Sequence, residues 1–169
     1  MLLGPGTQAL AQEPVTAQQV KAAYLFRFLS FVEWPATRMG EAQAALVVGI
    51  AGTPAMAAEL RALVGTRRAQ GHPVAVRTVD VPEDAGGLHL LFVAAGAPGG
   101  LPAWDRFAER ATLLVTDREG ALDQGSMINF IQSGGRIRFA VSLPNAERAG
   151  LRISSHMLAV ATEVRSRPP

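Results

Sequence analysis

The sequence predicts a three-layer α/β fold with a mostly parallel sheet flanked by helices and an antiparallel hairpin at one edge. Three observations support this fold class: apolar runs typical of strands buried on both faces, helical segments that alternate with them as far as Arg110, and a glycine-containing hairpin that follows. With 169 residues, the chain is long enough for one domain with a substantial core and too short to expect two.

The first predicted element is a long apolar helix over Val20–Trp34. Thr16 and Gln19 precede it with the spacing of a capping box, in which each side chain binds a backbone N–H of the first turn. Pro35 disfavours helical geometry at the residue before it, so the helix should end near Trp34.

Apolar side chains occupy more than one stripe of this helix, which predicts burial on several sides. The aromatic residues that we expect to be buried, in the core or against a second chain, are Tyr24, Phe28 and Phe31. Two interpretations stay open. The helix is an ordinary core helix, or a second copy of the chain covers part of it in a homodimer.

The middle of the chain alternates between strands and helices. The predicted strands are Ala44–Ala51, Val74–Val81, Leu88–Ala94 and Ala111–Thr116. The predicted helices are Pro54–Val64, capped by Thr53 and closed by Gly65, and Leu101–Arg110. This alternation is the basis for expecting parallel strands.

The last third predicts a hairpin and two helical segments. Strands at Ser126–Gln132 and Arg136–Val141 face each other across Ser133, Gly134 and Gly135. A helical turn over Pro144–Ala149 should end at Gly150 in a left-handed conformation, which glycine adopts without steric cost. Ser154 or Ser155 then caps a final helix to about Arg165.

Composition excludes several function classes. The net charge is +2, and the 16 basic residues are scattered, with only Arg67 and Arg68 adjacent, whereas nucleic-acid binding normally requires a concentrated patch. The chain has no Cys, which excludes thiol catalysis, disulfides and Cys-ligated zinc.

The N-terminus carries a signal of the secretory type. Ala9-Leu10-Ala11 has the small-x-small spacing of a cleavage site, although such a triplet also arises by chance in an Ala-rich chain. We therefore expect residues 1–14 to be a disordered remnant of a signal peptide. We expect residues 15–165 to form a single domain and residues 166–169 to form a tail.

Candidate chemistry is sparse. His89 lies in a predicted buried strand and is interpreted as a satisfied, partly buried histidine rather than a metal ligand. The Gly96–Gly100 loop lacks the Lys and Ser or Thr of a phosphate-binding loop. Asp117 ends a strand and is expected to hold the following turn by a local hydrogen bond. We predict no catalytic, cofactor-binding or metal-binding residues, and hence no enzyme activity.

Several segments together resemble the YfiR family of bacterial periplasmic proteins, also described as a domain of unknown function. The segment V-K-A-A-Y-L-F-R-F-L-S-F-V-E-W-P at Val20–Pro35 matches the helix that opens the family's domain. Further matches, in order, are Leu46–Ala51, Leu88–Val93 with His89 in register, Leu113–Asp117, Gly125–Phe130 and Arg136–Ala161. Relatives often carry a Cys where this chain has Leu88, so any redox behaviour of those relatives does not transfer.

The resemblance implies a regulator. It implies a periplasmic protein that represses a membrane-bound diguanylate cyclase by binding the periplasmic sensor domain of that cyclase, which lowers cyclic-di-GMP signalling and biofilm formation. The expected partners are this sensor domain and an OmpA-like outer-membrane lipoprotein that sequesters the repressor, with no nucleic acid among them. A homodimer is expected as well.

Two hypotheses about binding follow. Leu143, Leu151 and Ile153 are the first candidates for contact with the sensor domain, the alternative being that they are core residues. The rival function is a periplasmic small-ligand binding domain, with the ligand at the carboxyl ends of the strands, near Gly96–Gly100 and the turn at Asp117–Gly120.

Overall fold

The computed structural model describes residues 12–80, 86–100 and 105–168. The helices within this part of the chain are α1 (Ala17–Phe31), α2 (Ala36–Met39), α3 (Pro54–Val64), α4 (Asp105–Arg110), α5 (Leu143–Arg148) and α6 (Ser155–Val160), with a 3₁₀ helix at Ala121–Gln124. The strands are β1 (Val32–Glu33), β2 (Leu46–Ala51), β3 (Arg68–Ala69), β4 (His72–Thr78), β5 (Leu90–Val93), β6 (Leu113–Thr116), β7 (Ile128–Ser133), β8 (Arg136–Ser142), β9 (Arg152–Ile153) and β10 (Glu163–Arg165).

Eight of these strands form one curled sheet in the order β10-β8-β7-β6-β5-β2-β4-β3. The central strands pair in parallel, while β7 with β8 and β3 with β4 pair antiparallel. Two short strands, β1 and β9, form a separate antiparallel sheet. The predicted fold class, a mostly parallel α/β sheet flanked by helices with an antiparallel hairpin, is confirmed.

The start and end of α1 follow from local chemistry. The Thr16 hydroxyl accepts from the Gln19 N–H, and the Gln19 side chain accepts from the Thr16 N–H, so the predicted capping box is present. The helix ends at Phe31, three residues before Trp34, and the chain becomes extended ahead of Pro35.

An aromatic cluster attaches α1 to the sheet. Phe28 stacks on Phe130 of β7, with ring centroids 5.8 Å apart, and meets Phe139 of β8 edge-on at 5.1 Å. Tyr24 contacts the same two rings, and Phe92 of β5 lies against Phe130. Because α3 packs beside α1, most of the apolar surface of α1 is covered within one chain. This matches the core-helix interpretation for Tyr24 and Phe28.

The C-terminal segment differs from the prediction. The last helix, α6, ends at Val160 and does not continue to Arg165. The N–H of Thr162 donates to the Phe139 carbonyl of β8, and Glu163–Arg165 then pairs with β8 in parallel as β10. Backbone pairing with an unsatisfied neighbouring strand outweighs the helical tendency of this stretch. As a result, β10 lies outside the β7–β8 hairpin.

The opposite edge holds a second hairpin that the sequence pattern did not indicate. Arg68–Ala69 pairs with His72–Pro73 across Gln70 and Gly71, both of which have positive φ. Two successive residues with positive φ are typical of the tight turn that suits the twist of a two-stranded ribbon. The predicted strand at Val74–Val81 therefore starts earlier, at His72, and ends at Thr78.

The end of α5 agrees with the prediction. Gly150 has a φ of +71°, in the left-handed region. Its N–H donates to the Glu147 carbonyl, and the Leu151 N–H donates to the Ala146 carbonyl. This pair of bonds is the Schellman arrangement, which satisfies carbonyls left free at a helix end.

Several predictions extend in part beyond the described residues, and those for Val74–Val81 and for residues 166–169 do so by a single residue each. The expected signal-peptide remnant at residues 1–14 is described only from Gln12 onward, and the helix expected over Leu101–Arg110 is described only from Asp105. In the described part of the chain, none of the helices is long and apolar enough to cross a membrane.

Candidate functional site

An apolar groove lies on the surface between α1 and α6. We call it the α1–α6 groove; it has a volume of about 150 Å³ and is lined by Tyr24, Arg27, Phe28, Phe31, Phe139, His156, Met157 and Val160. Two of its apolar residues are exposed, Phe31 at 39% and Val160 at 67%. Large exposed apolar side chains that share one depression are typical of sites that bind another molecule.

Local structure explains why these two side chains reach solvent. Phe31 is the last residue of α1, where the chain leaves the helix for β1. Val160 is the last residue of α6, and the turn into β10 carries the chain away from it. The ring of His156 lies 6.4 Å from that of Phe31, so a histidine also borders the groove.

Of the predicted partner-binding residues Leu143, Leu151 and Ile153, Ile153 is the one linked to this groove, through the residue that follows it. Ile153 pairs with Val32 in the β1–β9 sheet, and the following residue, Ser154, donates its N–H to the Phe31 carbonyl. Ile153 and Leu143 are half-buried against the core, while Leu151 is fully buried. Of the three, Leu151 is therefore the least able to touch a partner directly. Their role in binding stays a prediction.

The three aromatic residues of α1 that the sequence predicted to be buried also differ in their exposure. Phe28 is fully buried and Tyr24 is half-buried in the aromatic cluster, whereas Phe31 is exposed. Burial within one chain thus accounts for Tyr24 and Phe28, and Phe31 remains as the residue that a second chain would cover.

A polar network occupies the carboxyl ends of the central strands. The Lys21 Nζ of α1 donates to Asp117 Oδ2 at 2.7 Å, and the Ala95 N–H donates to Asp117 Oδ1 at 2.6 Å. Both side chains of this ion pair are mostly buried, with exposures of 18% and 16%. The network connects α1, the loop after β5 and the end of β6.

The sequence led us to expect that Asp117 holds the turn that follows it. This prediction is wrong. The two carboxylate oxygens of Asp117 are directed at Lys21 and Ala95, and the N–H of Arg118 is instead bound by Asn129 Oδ1 at 3.0 Å. The guanidinium of Arg118 donates to the Ala95 carbonyl. The local turn interpretation failed because these partners come from α1, β7 and the β5 loop, which no short-range pattern could indicate.

His89 is a satisfied histidine, as predicted from its strand. The Val47 N–H donates to His89 Nδ1 at 3.0 Å, so this nitrogen is the acceptor, and Nε2 donates to the Arg38 carbonyl at 2.9 Å. Burial lowers the pKa of His89 below its ordinary value, and this effect outweighs the hydrogen bond to the Arg38 carbonyl, which acts in the opposite direction. The ring is thus a neutral structural bridge between β2, α2 and the start of β5.

Ser155, His156 and Asp117 are the residue types of a hydrolytic triad, but the fold does not bring them together. Asp117 binds Lys21 in the first half of α1, whereas His156 lies beside Phe31 at the other end of that helix. Among the described residues, no group of three or more His, Asp or Glu side chains is placed to hold a metal ion.

Comparison with known proteins places this arrangement in context. A family model described as YfiR/HmsC-like matches residues 18–162 of the chain. No curated protein sequence matches the chain significantly. Among solved structures, the chain is similar to a conserved domain protein from Vibrio cholerae O1 biovar El Tor, with 13% identity and a TM-score of 0.50. The match covers 90% of this chain and 61% of that one, and at this identity it shows the fold alone.

Proposed function

Because the chain belongs to the YfiR/HmsC-like family, we propose that it represses a membrane-bound diguanylate cyclase by binding the periplasmic sensor domain of that cyclase. Members of the YfiR-like family regulate diguanylate cyclases in the periplasm. Repression by this chain would lower cyclic-di-GMP and with it biofilm formation. An OmpA-like outer-membrane lipoprotein would compete for the repressor and so release the cyclase.

The observation that supports this proposal is the α1–α6 groove. A regulator without catalytic chemistry acts through a surface, and interfaces depend on a few apolar or aromatic anchors that seat in a partner. Phe31 and Val160 are apolar, exposed and on the same groove. Ile153 lies next to this surface, since the following residue, Ser154, donates its N–H to the Phe31 carbonyl. We therefore assign the contact with the sensor domain to Phe31, Val160 and Ile153.

Binding measurements on surface variants test the assignment. Val160→Asp and Phe31→Asp should each weaken binding to the purified sensor domain of the cognate cyclase by tenfold or more, about 1.4 kcal/mol, because a charge is placed in an apolar contact. Val15→Asp is the matched control, since Val15 is 71% exposed and does not line the groove. Wild-type affinity in both groove variants would contradict the assignment.

Melting curves separate an interface role from a core role. Val160→Asp and Phe31→Asp should melt within a few degrees of the wild type, because both side chains are exposed. Ile153→Asp is the informative intermediate case, since Ile153 is half-buried. Lost binding with an unchanged melting temperature places Ile153 in the interface, and a collapsed melting curve makes it a core residue.

We also propose that the chain forms a homodimer through the exposed end of α1, so that a second copy and the sensor domain would compete for Phe31. Phe31 is the aromatic residue of this helix that its own chain leaves exposed. Sedimentation of the full chain at high micromolar concentration checks this, and Phe31→Asp should shift a dimer toward monomer. A wild type that stays monomeric at that concentration would exclude the homodimer without affecting the binding assignment.

A further inference from the structure

A row of aligned residues crosses one half of the sheet. Thr116, Asn129, Ala140 and Glu163 are register partners in β6, β7, β8 and β10, so their side chains point to the same face. Phe130, next to Asn129 in sequence, packs on α1, which places the row on the face opposite to α1.

A groove of about 480 Å³ lies over this row. Its lining residues are Asp117, Glu119, Gly120, Ala121, Leu122, Asn129, Phe130, Ile131, Gln132, Ala140, Glu163 and Arg165, and we call it the Asn129 groove. The volume is within the range of about 300–1,000 Å³ that small-molecule sites occupy. None of its lining residues belongs to the α1–α6 groove.

Asn129 offers an unused donor to this groove. The residue is only 7% exposed, and its Oδ1 accepts from the Arg118 N–H and from the Thr116 hydroxyl. A backbone N–H can only donate, so Oδ1 is the atom that faces Arg118, and Nδ2 is left to face the groove. Nδ2 has no hydrogen-bond partner among the described residues and is not one of their fully buried unpaired atoms, so it is open to solvent in the groove.

The side-chain NH₂ group of Asn145 is fully hydrogen-bonded and provides a comparison within the same chain. Its Nδ2 donates to the carbonyls of Leu122 and Ser126, at 2.9 and 2.8 Å. Both hydrogens of that amide are therefore used. The contrast with Asn129, also buried and nearby in the fold, indicates that the free donor of Asn129 is available for a ligand that carries an oxygen acceptor.

The charged side chains that line the Asn129 groove indicate which second group a ligand would carry. Its lining has three carboxylates, from Asp117, Glu119 and Glu163, and one guanidinium, from Arg165. Lys21 neutralises Asp117, and Arg165 pairs with Glu163. Glu119 has no ion-pair partner within the described part of the chain, so it is the carboxylate that remains for a cation.

We propose that the Asn129 groove binds a small polar molecule with a protonated amine and a neighbouring hydroxyl or carbonyl oxygen. The amine faces Glu119, and the oxygen accepts from Asn129 Nδ2. Amino alcohols, a class that includes the amino sugars, carry both groups, and glucosamine is the probe for the site. This inference is independent of the proposed repressor function, because the two grooves share no lining residue.

The side-chain amide signals of the ¹⁵N-labelled full chain provide the first test. Titration with glucosamine at millimolar concentration should shift the Asn129 NH₂ signals, while those of Asn145 stay in place because both of its hydrogens are already bound. An Asn129 signal that does not move would overturn the site. Equal shifts with N-acetylglucosamine, whose nitrogen is neutral, would overturn the requirement for an amine.

A surface variant provides the second test, and it avoids disturbing the buried amide. Glu119 is exposed, so Glu119→Gln should fold normally and bind glucosamine about three- to fivefold more weakly, the size expected for one exposed ion pair. Glu41→Gln is the matched control, since Glu41 is also exposed and lies outside the groove. Unchanged affinity in Glu119→Gln would remove Glu119 from the site.

Discussion

The indole N–H of Trp34 donates a 3.1 Å hydrogen bond to the backbone carbonyl of His89. The two rings also meet edge-on, with centroids 6.2 Å apart. The same carbonyl accepts from the N–H of Leu113 in β6. The Trp-Pro end of the first helical segment is therefore bound directly to the middle of the parallel sheet.

Replacement of Trp34 by Phe should lower the free energy of unfolding by about 1–2 kcal/mol. The variant keeps a buried ring but loses the indole hydrogen bond and part of the packed surface. Trp34→Ala should cost more, about 3–5 kcal/mol, because it leaves a cavity as well. Urea unfolding monitored by circular dichroism gives both values, and equal stability of Trp34→Phe and wild type would disprove the structural role of the hydrogen bond.

Stability should decrease as the pH falls below about 6.5, because of His89. Burial lowers the pKa of this ring in the folded protein, whereas the unfolded chain has the ordinary value of about 6.5. Below that value the unfolded state takes up a proton that the folded state does not, so the folded state loses relative stability, by up to about 1.4 kcal/mol per pH unit. Above it both states are neutral and the effect is absent.

Urea unfolding of the full chain between pH 7.5 and 5.5 measures this dependence. His89→Gln should flatten the profile. A profile that keeps its slope in His89→Gln would assign the proton uptake to another group.

The Lys21–Asp117 ion pair should show a measurable coupling energy. Both side chains are mostly buried and the charged hydrogen bond is short, so a double-mutant cycle with Lys21→Met and Asp117→Asn should give about 1–2 kcal/mol. Arg152 and Glu33 are the control pair. They are 3.9 Å apart and exposed at 84% and 71%, so their cycle should give a value close to zero. Similar coupling in the two cycles would contradict the importance of burial.

Gly150→Ala should lower the melting temperature, with a loss of about 1–2 kcal/mol. The left-handed conformation at this position strains any residue with a Cβ. A Cβ would meet Pro35 only at 3.5 Å, an ordinary contact, so the cost comes from the backbone rather than from a clash. Gly150→Asn should therefore lose less, since Asn tolerates this conformation better. Calorimetry measures the melting temperature of both variants. Equal losses of stability in Gly150→Ala and Gly150→Asn would show that backbone strain is not the cause.

Local signals were sufficient for much of the fold. The capping box at Thr16, the Thr53-Pro54 start of α3 and the glycine that ends α5 all act within a few residues, and all were read correctly from the sequence. The apolar runs of the central strands were equally clear, because strands buried on both faces need no alternation.

Long-range pairing accounts for what could not be predicted. β10 forms because β8 has a free edge, and nothing in Glu163–Arg165 itself indicates that edge. The exposure of Val160 depends on this strand, since the helix would otherwise continue past it. Lys21 and Asp117 are 96 residues apart, so their pairing was likewise invisible in the sequence pattern.

The pairing of Lys21 has a practical consequence for chemical probes. It is the only lysine in the chain, so reagents that acylate amines have a single side-chain target. In the folded protein the ε-ammonium of that target is held by a carboxylate and is mostly shielded. Acylation therefore requires the Lys21–Asp117 ion pair to separate. The rate of labelling at this side chain measures how often that separation occurs, with no engineered reporter.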